Sequence, residues 1–267
     1  MDRILWYLQK SWNLLIVCTQ ISLHCLFHPK EFFKLFFLLF SQINEFYQSS
    51  HGRLINFNQT QTFQRISQET VFAQSNVFNL DSKVTRPMET QILAALVSYF
   101  QPAAMFEIGT YNGFTALHFA VNSPAKAVIY TLDLPPDFNP NEKNQFSYDD
   151  LLVVKLSMEH IHARIYRQHP CREKIKELFG DSLNFDFSPY YGKMDLVFID
   201  GNHSHNYVQR DTQNAFKMLN ETGIIVWHDY DYIVHKEVFN YLNTLSKEYK
   251  IYFIPHTRFA IYGKNLK

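Results

Sequence analysis

Residues 106–115 read Phe-Glu-Ile-Gly-Thr-Tyr-Asn-Gly-Phe-Thr, and this segment predicts a strand, a tight turn and the start of a helix. An apolar run precedes it over residues 103–106, and an amphipathic segment follows it. Glycine has no Cβ, so Gly109 and Gly113 permit unusual backbone dihedrals and a close approach of a ligand to the main chain. A helix N-terminus adds free N–H groups. This combination indicates a nucleotide-type pocket at the carboxyl edge of a parallel sheet.

Two acidic residues indicate which nucleotide-like molecule the pocket would hold. Glu107 replaces the first glycine of the dinucleotide pattern G-x-G-x-x-G, and a carboxylate there suits an ammonium group better than a pyrophosphate. S-adenosylmethionine carries an ammonium group and a sulfonium and has no phosphate. Asp133 ends the next predicted strand, 20 residues after Gly113, where an acid would hold a ribose diol. The alternative is a strand–helix–strand unit with incidental glycines and a solvated aspartate.

The rest of the chain continues the alternation of strands and helices. Pro87 suits the first turn of a helix that ends near Phe100. The run Met194–Ile199 is apolar in its last four residues, which suits a strand buried on both faces. The remaining predicted elements are strands over 103–108, 127–133, 175–179 and 223–227, helices over 113–121, 151–167, 204–219 and 234–247, and a closing hairpin of 251–254 and 259–262.

Five segments in this order resemble the class I S-adenosylmethionine-dependent methyltransferases, and the likeness extends from about Val84 to the C-terminus. The branch in question contains small-molecule O-methyltransferases and cephalosporin-hydroxylase-like proteins. The resemblance implies a Rossmann-like α/β fold with a mostly parallel central sheet and an antiparallel C-terminal strand. The segments are Glu107–Gly113, Thr131–Pro136, Phe179–Ser182, Asp195–His203 and Gly223–Tyr230.

The same resemblance implies a set of residues that bind S-adenosylmethionine. Glu107 would receive the amino group of the methionine moiety, and Asp133 would accept both ribose hydroxyls. Asp181 and Ser182 would lie at the adenine edge, although Gly-Asp-Ser is also a turn-forming sequence. The full cofactor-binding set is Glu107, Gly109, Thr110, Gly113, Asp133, Asp181, Ser182 and Asp200.

The acceptor side rests on acids and histidines that follow two later strands. We expect Asp200, His203 and His228 to act in catalysis. Without a metal, a histidine would serve as general base, because its pKa lies near working pH. His203 and His205 flank a helix start and would otherwise be solvated. Asp211 is expected to be a solvated helical residue. Three aromatic residues would line the acceptor pocket or pack in the core: Trp227, Tyr230 and Tyr232.

Similar methyltransferases hold a divalent cation at these strand ends with one acid and an acid–amide pair. The corresponding set here is Asp200, His228 and Asp229, in which a histidine replaces the first member of the pair and an aspartate replaces the amide. Oxygen ligands would suit Mg²⁺, a histidine with two carboxylates would suit a transition metal, and an arrangement without metal stays open.

Composition narrows the classes of partner and compartment. Lys+Arg and Asp+Glu are equal at 25 each, so no global field favours nucleic acid. Three cysteines are too few for a disulfide framework, which favours a reducing, cytoplasmic environment. No signal peptide is evident, and the longest uncharged stretch, Ser11 to Pro29, is too polar for a membrane span.

The chain is expected to have three parts. Residues 1–48 predict a helical extension, residues 49–83 a linker or lid, and residues 84–267 the methyltransferase domain. The second helix of the extension is apolar on several faces, so it needs a burial partner. That partner could be the domain, a second copy in a homodimer, or a bilayer surface, and low charge makes the bilayer the least favoured.

The predicted function is transfer of a methyl group from S-adenosylmethionine to an oxygen of a small-molecule acceptor. An NAD-dependent oxidoreductase is the alternative enzyme, and Glu107 and the missing third glycine disfavour it. A catalytically silent methyltransferase-fold adaptor is the other alternative, and the acids at positions 107, 133 and 200 argue against it. The acceptor pocket is not readable from the sequence, because such pockets differ widely on one fold.

Overall fold

A computed structural model of the chain describes residues 52–69, 87–139, 146 and 148–267. All of them belong to one unit, residues 51–267. The predicted helices of residues 1–48 lie outside the described residues. None of the helices in the described ranges is both long and apolar enough to cross a membrane.

Eight strands form one sheet with the order β1-β7-β8-β6-β5-β2-β3-β4. β8 is antiparallel to both of its neighbours, and the other pairings are parallel. The strand order reverses between β2 and β5, which is where an open α/β sheet holds its ligand. The strands are β1 Ile55–Asn56, β2 Ala104–Ile108, β3 Val128–Asp133, β4 Ile175–Phe179, β5 Met194–Ile199, β6 Leu219–Trp227, β7 Ile251–Ile254 and β8 Phe259–Gly263.

Helices cover both faces of this sheet and enclose two hydrophobic clusters. Phe119, Phe198 and Phe259 belong to one cluster, and Phe106, Trp227 and Phe253 belong to the other. The helices are α1 Gln61–Glu69, α2 Pro87–Phe100, α3 Phe114–Asn122, α4 Tyr148–His160, α5 His205–Met218 and α6 Lys236–Leu245.

The register of the central strands brings their carboxyl ends to one level. Ile108 pairs with Leu132 on β3 and with Ile199 on β5, and Ile199 pairs with Trp227 on β6. The hydrogen-bond ladder continues one residue further, because the N–H of Asp200 donates to Ile108 and the N–H of His228 donates to Ile199. The residues that follow these strands therefore emerge side by side.

The predicted fold class is confirmed, including the antiparallel last strand. The predicted helix over 151–167 is the element that differs most, since α4 ends at His160 and a short 3-10 turn over Ile165–Gln168 follows it. β6 begins at Leu219, four residues before its predicted start, because Leu219 pairs with Met194 before a bulge in the β5–β6 ladder.

Part of the segment predicted to be a linker or lid has regular structure. β1 pairs in parallel with β7, and α1 follows it. Phe57 is 1% exposed and packs edge-on against Phe63 and Tyr252. The backbone N–H of Thr62 donates to the carbonyl of Lys267 at 3.0 Å. Residues 52–69 therefore contribute to the sheet and to one of its cores.

Candidate active site

Both glycines of the β2–α3 loop have backbone conformations that favour glycine. Gly109 has φ +96°, and a Cβ there would meet the carbonyl oxygen of Asp200 at 2.1 Å. Gly113 has φ +81° at the start of α3, and a Cβ there would meet the ring of Tyr166 at 2.3 Å. The glycines therefore let the loop backbone pack closely against other parts of the protein. Gly109 packs against Asp200 at the end of β5, and Gly113 packs against Tyr166.

Glu107 is a buried acid with one unsatisfied oxygen. Its side chain is inaccessible to solvent, and the hydroxyl of Thr131 donates to Oε2. The Thr131 hydroxyl also lies 2.6 Å from that of Thr110. Oε1 has no hydrogen-bond partner among the described residues. Burial raises the pKa of Glu107 to about 8, so the pocket stabilises a carboxylate only when a positive or donating group reaches Oε1.

Asp133 is surrounded by donors from the protein. Ser157 donates to Oδ2 at 2.6 Å, Arg164 Nη2 donates to Oδ2 at 2.7 Å, and the Leu134 N–H donates to Oδ1 at 2.9 Å. The backbone of Tyr111 supplies a fourth hydrogen bond. A carboxylate accepts about four hydrogen bonds, so a ribose diol at Asp133 has to replace at least one of these donors.

The two residues of the predicted adenine edge, Asp181 and Ser182, lie in a turn, and Ser182 faces the buried acid Asp211. Asp181 Oδ1 accepts the N–H of Leu183 at 3.1 Å, as a turn-forming Gly-Asp-Ser predicts. The expectation of a solvated Asp211 is wrong, because Asp211 is fully buried in α5. Neither of its carboxylate oxygens has a partner of normal geometry in the described ranges. Burial raises the pKa of Asp211 to about 7, although the Ser182 hydroxyl acts in the opposite direction.

Asp200, His228 and Asp229 lie together at the ends of β5 and β6. His228 Nδ1 is 2.9 Å from Asp200 Oδ1 and 3.2 Å from Asp229 Oδ2. The three potential ligand atoms lie within 4.8 Å of one another. Burial alone would lower the pKa of His228, but the charges of Asp200 and Asp229 outweigh it and raise this pKa. The structure therefore brings together the three residues of the predicted metal set.

His203 extends this cluster to one side. Its Nδ1 lies 2.7 Å from Asp150 Oδ1, and its Nε2 lies 2.9 Å from Asp229 Oδ2. Burial opposes the charged form, yet these hydrogen bonds raise the pKa of His203 to about 10. The ring of His235 is tilted against that of His203 at a centroid distance of 4.0 Å, and Nε2 of His235 is 3.4 Å from Asp229 Oδ1. Burial lowers the pKa of His235.

Glu89, Arg258, Asp150 and His235 belong to the same cluster and were missed by sequence reasoning. Arg258 Nη1 donates to Asp229 Oδ1 at 2.6 Å, and the Arg258 N–H donates to Glu89 Oε1 at 2.9 Å. The antiparallel pairing of the last strand with β6 could have indicated Arg258. This pairing brings the β7–β8 turn, which contains Arg258, to the end of β6. His235, six residues after Asp229, offered a second signal.

Several predicted acceptor-side residues lie elsewhere. His205 is half exposed and 3.7 Å from Glu237, outside the cluster. Trp227 is buried and donates to the Thr212 hydroxyl at 2.9 Å, and buried Tyr230 donates to Asn243 at 3.2 Å. Tyr232 packs edge-on against Phe239. Trp227 and Tyr230 therefore belong to the packing of the core.

Comparisons with known proteins found one matching family and a set of similar solved structures. The methyltransferase-domain family matches residues 106–230. A Podospora anserina methyltransferase bound to S-adenosylhomocysteine has 15% identity and a TM-score of 0.46, with 80% of this chain and 100% of that chain covered. A Bacillus cereus O-methyltransferase in complex with S-adenosylhomocysteine has 14% identity and a TM-score of 0.47, with 85% and 99% covered.

A third solved structure is the O-methyltransferase TomG from Streptomyces achromogenes, involved in tomaymycin synthesis and in complex with S-adenosylmethionine. It has 12% identity and a TM-score of 0.47, with 84% of this chain and 96% of that chain covered. No curated protein sequence matches the chain significantly. The methyltransferase-domain family thus matches residues 106–230, and the described residues have the strand order and antiparallel last strand of the Rossmann-like methyltransferase fold.

Proposed function

We propose that the chain transfers a methyl group from S-adenosylmethionine to an oxygen of a small-molecule acceptor. The observation that carries this proposal is Oε1 of Glu107, a buried carboxylate oxygen with no partner among the described residues. An ammonium group would satisfy it and stabilise the charged carboxylate, whereas a pyrophosphate would repel it. The family match over residues 106–230 supports the same cofactor.

The cofactor supplies a methyl group on a sulfonium, and the chain's own residues have to align the acceptor with it. Asp133 would hold the ribose hydroxyls once Ser157 on α4 gives up its hydrogen bond. Gly109, Gly113 and Thr110 would shape the floor beneath the cofactor, and Asp181 and Ser182 would border the adenine.

The acceptor oxygen would be activated at the ends of β5 and β6. A hydroxyl group has to lose its proton as its oxygen bonds to the methyl carbon, and the sulfur keeps the electron pair of the broken bond. Burial opposes the charged form, but the carboxylates beside His203 and His228 raise the pKa of both imidazoles and keep them protonated. Asp200 would therefore bind the hydroxyl and accept its proton, and its side chain is the most accessible of the cluster at 27% exposed. This concentration of acids and histidines supports an oxygen acceptor.

Calorimetric titrations with S-adenosylhomocysteine and, separately, with NAD test the cofactor. We expect binding of S-adenosylhomocysteine and loss of that binding in Glu107→Gln. Transfer of a labelled methyl group to panels of phenols, alcohols and amines tests the acceptor. Binding of NAD alone would contradict the proposed cofactor, and transfer to amines alone would contradict the oxygen acceptor.

A further inference from the structure

We propose that His203, Asp229 and His235 bind a divalent transition-metal ion beside the acceptor site. The three residues come from the loop after β5, the end of β6 and the residue before α6. Their potential ligand atoms lie within 4.8 Å of one another. Only the role of the ion at the acceptor rests on the proposed function, since metal binding is measured without turnover.

The distances in this set match those around a bound ion. Bonds of about 2.0–2.2 Å place neighbouring ligand atoms about 2.9–3.5 Å apart. His203 Nε2 is 2.9 Å from Asp229 Oδ2, and His235 Nε2 is 3.4 Å from Asp229 Oδ1. The two contacts use different oxygens of Asp229, and one ligand atom from each residue lies within 4.8 Å of the others. Rotations of the three side chains would therefore direct one atom of each to a shared ion.

Asp150 gives His203 the second partner that a metal-binding histidine usually has. Its Oδ1 lies 2.7 Å from Nδ1 of His203, so Nδ1–H donates to the carboxylate and Nε2 is oriented toward Asp229. A carboxylate in this position fixes the tautomer and raises the basicity of the ligating nitrogen. The proton on Nε2 would leave when the ion binds there.

The backbone and the charges around Asp229 also suit this role. Asp229 has φ +57°, a conformation that is strained for a residue with a Cβ and that recurs at functional sites. Arg258 binds Oδ1 of Asp229 at 2.6 Å, which holds the carboxylate in place and leaves Oδ2 directed at His203. The strained backbone thus presents one carboxylate between two imidazoles.

The neighbouring set of Asp200, His228 and Asp229 is a poorer site for an ion. The His228 side chain is 5% exposed, whereas those of His203 and His235 are 24% and 15% exposed. An ion can reach the His203–Asp229–His235 set more easily, and two imidazoles with one carboxylate select Zn²⁺ or Fe²⁺ over Mg²⁺.

Three protein ligands leave coordination positions open for an acceptor oxygen, whose pKa the ion would lower. Metal content should be measured on the full chain purified without chelator. The stripped protein should then be titrated with Co²⁺, Zn²⁺ and Mg²⁺, with visible absorption reporting on Co²⁺. We expect a single Zn²⁺ or Co²⁺ site and no site for Mg²⁺ at the same concentrations.

Variants assign the ion to its ligands. His203→Ala and His235→Ala should lose Zn²⁺ and Co²⁺ binding, and Asp150→Asn should weaken it about 10–100-fold. His205→Ala is the matched control, because this histidine is half exposed and outside the cluster. Asp200→Asn should also keep the ion, because Asp200 is a ligand only in the neighbouring set. Titration of every variant with S-adenosylhomocysteine separates loss of the ion from loss of the cofactor site.

Three results would overturn the proposal. Retention of Zn²⁺ by His235→Ala together with its loss from Asp200→Asn would move the ion to the neighbouring set. Binding of Mg²⁺ alone would exclude the transition-metal assignment. No binding of any tested ion by protein that binds S-adenosylhomocysteine would leave His203 as an imidazolium between two carboxylates.

Discussion

At the scale of single residues, Glu107 combines complete burial with an oxygen that has no partner among the described residues. A charged carboxylate in such a place costs several kcal/mol unless it is paired. The sequence anticipated the position of this acid but not its protonation. In the protein alone the neutral form is favoured, and a bound ammonium group would favour the charged form.

The first prediction concerns stability as a function of pH. Burial raises the pKa of Glu107 from 4.5 to about 8, so between these values the folded state binds more protons than the unfolded state. The contribution of Glu107 to the free energy of unfolding is therefore complete below the lower value. It falls by up to about 1.4 kcal/mol per pH unit as the pH rises through this window.

The side chain of Glu107→Gln is uncharged at every pH, so this variant should lack the pH-dependent part of the free energy of unfolding that Glu107 contributes. Urea unfolding of both proteins at several pH values between the two pKa values measures it, and the difference between them isolates Glu107. Equal pH slopes for the parent and the variant would contradict the prediction.

The second prediction concerns the ribose site. Asp133→Asn should weaken binding of S-adenosylhomocysteine by about 1.5–3 kcal/mol, the usual range for hydrogen bonds to a charged group. Buried Arg164 keeps Glu177 as a partner at 3.0 Å, so the variant should fold. Glu173→Gln, at an exposed acid, serves as the control. Calorimetry that gives both variants the affinity of the parent would remove Asp133 from the site.

The sequence predicted some residues of the site and missed others for one physical reason. Acids such as Asp133 and Asp200 follow apolar strands directly, so the period of the strands predicts where they emerge. Arg164 reaches Asp133, and Arg258 reaches Asp229, only through loops whose paths depend on tertiary packing. Local pattern carries no information on such contacts.

At the scale of elements, α4 joins the two halves of the site. Asp150 contacts His203 and Ser157 contacts Asp133, and these two residues are two turns apart and so share one face of the helix. At the end of α4 the ring of His160 lies 5.6 Å from that of Tyr111 in the glycine loop. Movement of α4 would therefore change the cofactor side and the acceptor side together.

The third prediction tests whether Ser157 of α4 competes with the ribose for Asp133 or orients Asp133 toward it. Ser157→Ala frees one acceptor position on Asp133, so S-adenosylhomocysteine should bind as tightly as to the parent or tighter by up to about 1.5 kcal/mol. The same variant should lose about 0.5–1.5 kcal/mol of stability, because one hydrogen bond is removed.

Titration calorimetry and urea unfolding measure the two quantities on the same protein. Weaker cofactor binding in Ser157→Ala would mean that the hydroxyl orients Asp133 for the ribose, and displacement of Ser157 would have to be abandoned.

The apolar strands were predicted well, since β3, β4, β5 and the closing hairpin lie within a residue of their expected bounds. Hydrophobic runs bounded by turn residues determine such strands locally. The predicted end of α4 was too far along the chain. Residues 161–167 have helical spacing in the sequence, but their backbone makes hydrogen bonds outside the helix. The N–H of Ile165 donates to the carbonyl of Asn112 at 3.0 Å, a contact between distant segments.

At the scale of the whole molecule, the start of an independent domain at residue 84 stays a prediction, and so does the role of residues 1–48. The contacts of residues 52–69 bear on where the domain starts. Two buried residues, Phe57 and Ile66, belong to the same hydrophobic cluster as Leu196 and Phe198 of β5. This segment is expected to unfold together with the sheet.

The last prediction tests this cooperativity with two variants of neighbouring residues. Phe57→Ala removes a ring that is 1% exposed and should lower the free energy of unfolding by about 3–5 kcal/mol, because it leaves a cavity. Ile55→Ala is the matched control, since its side chain is 40% exposed and should change stability by about 0.5 kcal/mol or less. Urea unfolding is followed by circular dichroism and by the fluorescence of Trp227, in a background in which Trp6 and Trp12 are replaced by phenylalanine. The two signals should give one shared transition for each variant, because Trp227 lies at the centre of the sheet. A neutral Phe57→Ala would instead mean that residues 52–69 are dispensable for the fold, and residue 84 would then be favoured as the start of the domain.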